Sequence, residues 1–288
     1  MLCHLRLSLG SLSPVTPVPE GHCLVVIKSY FDGGNEANSL QYDRVTLATA
    51  CGTSEQWNVF TSDWDKVLTK HNNTAFLHTT DAVSLQREFS KDNGWSKESV
   101  DALISDCVSV IAEHISIPGP FGNIAKPGLH VVTLTIPLDD YRRARESDPR
   151  LPNSVAEICV SESLGFCFKW GRRIGAEFYQ LYFDQGEPFF GHIYDRRHNK
   201  KSKKEITPME KVVHLGESDM RVTPPLQLAD LFAWCINHND AVSREWHGNL
   251  HGLAWDSLYL DYDFLLRPTP GALERTAAWN LPRRKPNT

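Results

Sequence analysis

Three aspartates, Asp32, Asp184 and Asp230, stand in settings where a carboxylate needs a partner. The run TPPLQLADLFAWCINH, Thr223 to His238, is apolar on nearly every side of a helix-length segment except at Asp230. Such a helix is buried, and Asp230 with it. An ionised carboxylate in those surroundings demands a cation, a hydrogen-bonding network or a metal ion. LVVIKSYFD, Leu24 to Asp32, reads as a buried strand ending at Asp32-Gly33-Gly34, and EFYQLYFD, Glu177 to Asp184, as an aromatic strand ending at Asp184-Gln185-Gly186. Asp beside Gly is ordinary turn chemistry taken singly. Two strand-end carboxylates plus one on a buried helix form a set able to converge on a divalent metal.

Four segments resemble the bacterial and phage "domain of unknown function 3800" proteins of the ribonuclease H-like superfamily. They are YFDGGN (Tyr30 to Asn35), FLHTTD (Phe76 to Asp81), YFDQGEPF (Tyr182 to Phe189) and PLQLADLFAW (Pro225 to Trp234). They span most of the chain, and the Gln three residues before a buried Asp in the last is the most specific. Many relatives carry Asp-Glu-Ser-Gly after the first strand, whereas this chain has Asp32-Gly33-Gly34-Asn35. The resemblance implies an α/β fold with a ribonuclease H-like mixed central sheet flanked by helices. It also implies phosphodiester hydrolysis assisted by two divalent ions, magnesium or manganese, about 3.5 to 4 Å apart. Asp32 would bridge them, Asp184 and Asp230 would each hold one, and Asp81 would be the fourth catalytic carboxylate. Glu187, Glu162 and Asp219 are reserves, and His78, three residues before Asp81, can orient a ligand or a phosphate. The alternative is a non-catalytic module that keeps this fold and binds nucleic acid or protein.

Asp184 is followed by DRRHNKKSKKE, read as a loop. At a net charge of -5 the chain has little general attraction for a polyanion, so a nucleic-acid footprint must be local. Arg196, Arg197, Lys200, Lys201, Lys203 and Lys204 are its candidates, against the reading of a solvated charge run. A zinc reading rests on the C-x-x-H and H-x-x-x-H spacings of Cys235, His238, His247 and His251. Gly248 and Asn249 weaken the helix it would need.

The positioning elements follow from periodicity. Val45 to Cys51, His130 to Ile136 and Val212 to Leu215 read as strands. Lys97 to Ile115 reads as a helix capped by Ser96, with Val100, Leu103, Ile104, Cys107, Val108, Ile111 and Ile115 at the 3.6-residue period. Val155 to Trp170 reads as a helix opened by a Ser154–Glu157 capping box, and Thr223 and Pro224 suit the start of the Asp230 helix. A hydrophobic content of 41% over 288 residues suffices for one large core. The expected organisation is a loosely ordered leader over 1–22, the main domain over 23–240, a packed extension over 241–266 and a disordered tail over 267–288. Seven cysteines without a C-x-x-C pair and no apolar run of about 18 residues suggest a reduced, cytoplasmic protein with no membrane partner.

Overall fold

The computed structural model describes residues 25–34, 43–118, 124–198, 208–238, 250 and 256–266. The leader, the tail, Lys200, Lys201, Lys203, Lys204, His247 and His251 lie outside them.

Strands rich in β-branched and aromatic residues build the sheet: β1 (Val26–Gly34), β2 (Arg44–Thr53), the short pair β3 (Ile117–Pro118) and β4 (Ile124–Lys126), β5 (His130–Pro137), β6 (Phe178–Asp184), β7 (Val212–Ser218) and β8 (Asp256–Tyr259). Six of them form one sheet in the order β7-β6-β1-β2-β5-β8. β1 runs antiparallel to β2, and β2 antiparallel to β5. On the other flank β1 runs parallel to β6 and β6 parallel to β7, and β8 closes the far edge parallel to β5. The protein is therefore α/β, with a mixed six-stranded sheet flanked by helices.

Helices α1 (Ser54–Lys70), α2 (Thr79–Val83), α3 (Lys97–His114), α4 (Leu138–Ser147), α5 (Val155–Arg173), α6 (Pro188–His198) and α7 (Pro224–Asn237) divide between the two faces. Period-two alternation on β1 sends Tyr30 to one core, with Trp57, Trp64, Leu103 and the body of α7, and Ile27 and Phe31 to the other, with α5 and Phe183. Phe31 and Phe183, paired in register, stack with ring centroids 4.4 Å apart. Among the described residues no helix is long and apolar enough to cross a membrane.

Several sequence expectations change at element ends. Ser96 caps α3, with Ser99 completing a reciprocal box. Ser154 and Thr223 precede their helices without a side-chain cap bond. The Thr223 hydroxyl instead meets Ser218 Oγ at 2.7 Å, and Ser154 Oγ meets His192 Nε2 at 3.1 Å, so tertiary partners outcompete the local ones. The stretch after Asp184 is not all loop, because α6 runs to His198 and carries Arg196 and Arg197. β1 continues past Asp32 through Gly33 and Gly34, which still pair with Leu47 and Thr46.

Candidate functional site

The parallel pairing of β1 with β6 brings Phe31 beside Phe183, which sets Asp32 and Asp184 at neighbouring strand ends. α7 crosses over β1 and β2 on the Tyr30 side. Asp32, Asp184 and Asp230 all line one cavity of about 510 Å³, shared with Gly33, Gly34, His78, Glu187 and the last turn of α7. Residues separated by 152 and 46 positions are thereby gathered by three elements.

A backbone amide fixes each aspartate. Gly33 N donates to Asp32 Oδ1 at 3.0 Å, Met220 N to Asp184 Oδ1 at 3.1 Å and Thr79 N to Asp230 Oδ2 at 2.7 Å. Gln227, one turn before Asp230 and fully buried, connects the last two of these anchors. Its Oε1 accepts from Trp64 Nε1 at 2.8 Å and from Leu77 N at 2.9 Å, and its Nε2 donates to Met220 O at 2.8 Å. The Gln-x-x-Asp spacing thus has a physical content: the amide side chain ties the 77–79 segment and the Met220 turn to the helix that presents Asp230.

The electrostatics are those of crowded carboxylates. Burial pushes the Asp32 carboxyl well above the usual carboxylate range, and Asp230, Glu187 and Asp184 push it further by like charge. Asp184 is raised by burial and by Asp230. Burial also raises Asp230, opposed by the nearby His78 and by the Thr79 amide. Among the described residues, no group of three or more His, Cys, Asp or Glu side chains stands at metal-ligating spacing. The donor chemistry nonetheless suits a hard divalent cation: oxygen ligands only, partly desolvated, mutually repelling, and each oriented by an amide.

Asp81 sits in α2 and does not line the cavity. Its Oδ2 lies 2.7 Å from His78 Nδ1 and 3.3 Å from Arg87 Nη1. A carboxylate oxygen accepts, so His78 Nδ1 carries the proton and Nε2 is left for other work. Of the reserves, Glu187 lines the cavity, Asp219 caps the Met220 turn and Glu162 lies on α5 against the opposite core. Cys235 is packed in the core and His238 Nδ1 bonds to Trp234 O at 2.9 Å, an arrangement that serves packing.

Sequence reasoning did not single out Asn237 or His238 as part of this cavity, or Gln227 as its tie. Asn237 and His238 line the wall opposite the strand ends. Both polar atoms of the Asn237 amide are buried without a hydrogen-bond partner among the described residues. A Cβ at Gly34 would overlap the Asn237 amide nitrogen, and one at Gly33 would overlap the Phe189 ring. The seven-residue step from Asp230 to Asn237 was a usable signal, since it places both on one face of the helix two turns apart. Comparison with family models, with curated proteins and with solved structures finds no match to this chain.

Proposed function

We propose that the protein is a metal-dependent phosphodiester hydrolase, a nuclease of ribonuclease H-like architecture resembling the "domain of unknown function 3800" proteins. The observation that carries the reading is the shared cavity of Asp32, Asp184 and Asp230, three carboxylates from two adjacent parallel strands and a buried helix. Burying several like charges in one cleft is costly unless a cation enters. Magnesium or manganese bound there would activate a water and offset the charge on the leaving oxygen.

The chain's own residues divide the remaining work. Asp32, Asp184 and Asp230 hold the cation charge, and because they share a cavity without standing at ligating spacing, binding draws them inward. Their backbone amide anchors limit how far each can turn. His78, oriented through Nδ1 by Asp81, presents Nε2 as the group that takes or gives a proton, so Asp81 acts through His78. Arg196 and Arg197 at the end of α6, with Lys200, Lys201, Lys203 and Lys204, supply the phosphate contacts. A reduced, cytoplasmic setting belongs to this reading, supported by the free, buried Cys51, Cys107, Cys159, Cys167 and Cys235.

The spacing of the carboxylates favours a second reading, a nucleic-acid-binding module without catalysis. Purified protein incubated with single- and double-stranded DNA and RNA, with magnesium, manganese or chelator, separates the two. Metal-dependent cleavage lost in Asp230→Asn is the expected result. Absence of cleavage of every substrate, together with salt-sensitive binding, would favour the module.

A further inference from the structure

We propose that the open side of β6 and β7 is a stacking track that guides a single-stranded nucleic acid into the carboxylate cavity. The inference rests on the nuclease reading for its polyanionic substrate. Its own evidence is the order of side chains on one sheet face.

Side chains two apart on a strand share a face, and strand register aligns them in rows about 6.6 Å apart. On this face β1 carries Lys28, Tyr30 and Asp32, and β6 carries Gln180, Tyr182 and Asp184. β7 adds His214, Gly216 and Ser218, in register with Gln180, Tyr182 and Asp184. The rows therefore run from Lys28, Gln180 and His214, through Tyr30, Tyr182 and Gly216, to Asp32, Asp184 and Ser218. The last row opens on the cavity.

α7 and α1 pack over β1 and β2 on this side. In contrast, Phe178, Gln180, Tyr182 and Asp184 all remain half-exposed while their neighbours Tyr179, Leu181 and Phe183 are buried. The Tyr182 ring stacks on buried Tyr30 with centroids 5.0 Å apart and planes 13° apart. The exposed His214 ring lies 4.7 Å from it, tilted by 33°. Tyr182 OH donates to Gln180 Oε1 at 3.0 Å, which fixes the ring in its plane. Gly216, beside Tyr182, carries no side chain to cover it. Lys28 has no ion-pair partner among the described residues, although the chain as a whole is acidic.

A half-exposed aromatic pair, a spare cation one row behind and carboxylates one row ahead match a chain whose bases stack on rings while its phosphates meet positive charge. A duplex keeps its bases stacked on one another and cannot use such rings. The occupant is therefore a single strand.

The test measures fluorescence anisotropy of labelled oligo-dT and oligo-rU on the full chain in chelating buffer, where cleavage is silent. Tyr182→Ala is expected to weaken single-strand binding about 10-fold, and Tyr182→Phe to stay within about twofold of wild type. Lys28→Ala is expected to lower the slope of log affinity against log salt by about 0.7. His214→Ala, at an exposed position that folding does not need, is expected to weaken binding several-fold, and Asp230→Asn to leave it unchanged. Unaltered binding in both Tyr182→Ala and His214→Ala, or preference of the wild type for duplex, would overturn the track. Cleavage with ring-independent binding would sink the track and leave the nuclease reading standing. Ring-dependent binding without cleavage would do the reverse.

Discussion

Gln227→Leu should be among the most destabilising single changes in the chain, and the structure gives its size. The substitution keeps side-chain bulk and removes three hydrogen bonds at once. It strands the Trp64 indole N–H and the Leu77 amide, both in fully buried residues, and the carbonyl of Met220, which is 8% exposed. Each buried group left unpaired costs about 1–3 kcal/mol. Leucine recovers part of that by apolar burial, so a net loss of about 3–5 kcal/mol is expected. For a chain of this size that corresponds to a drop of roughly 10 °C in melting temperature. Urea unfolding followed by tryptophan fluorescence measures it, with the m-value checked for constancy. Gln227→Glu provides a signed control, since it keeps the shared acceptor but turns an oxygen toward Met220 O. Burial and that carbonyl raise the new carboxyl's pKa above its unfolded value, so its neutral form contributes stability that is lost as pH rises. Its deficit relative to wild type should therefore shrink as pH falls. A Gln227→Leu loss below about 1 kcal/mol would refute the argument that this amide ties the site together.

Burial and neighbouring carboxylates raise the folded-state pKa of Asp32, so its contribution to stability is present below the unfolded value of 3.8 and lost as pH rises through the folded value. Asp32→Asn should accordingly melt higher than wild type at neutral pH in chelator and gain nothing from magnesium, whereas wild type should gain several degrees; calorimetry with and without metal decides it. His130, stacked on Trp170, has its pKa lowered to about 3 from 6.5 by burial and by the Arg173 and Lys169 charges. Its contribution is complete above about pH 6.5 and lost as pH falls toward 3, an upper limit of roughly 5 kcal/mol, and His130→Phe should flatten stability over that window in urea titrations. Gly34→Ala places a Cβ on the Asn237 amide and should reduce the magnesium-induced rise in melting temperature while leaving the sheet's circular dichroism unchanged.

Local sequence determined the elements whose chemistry is local. Apolar alternation marked the strands that carry Asp32 and Asp184, and an unbroken apolar surface marked α7 as buried, because burial and period are written in consecutive residues. The ends of elements were less legible: Ser154 and Thr223 have the right side chains to cap, but their hydroxyls meet His192 and Ser218 instead. Helices α1, α4 and α6 escaped the periodic reading, and α6 replaced part of an expected loop. The tertiary structure alone decided which carboxylates share a space. Asp81 and Asp230 are equally acidic on paper, yet the 77–81 segment turns Asp81 onto His78 and Arg87 while its Thr79 amide takes Asp230. Parallel register of β1 with β6, the crossing of α7 and the Gln227 bridges set those positions. Such pairings are long-range and depend on where three elements stop relative to one another, and residues nearby in sequence carry no record of that.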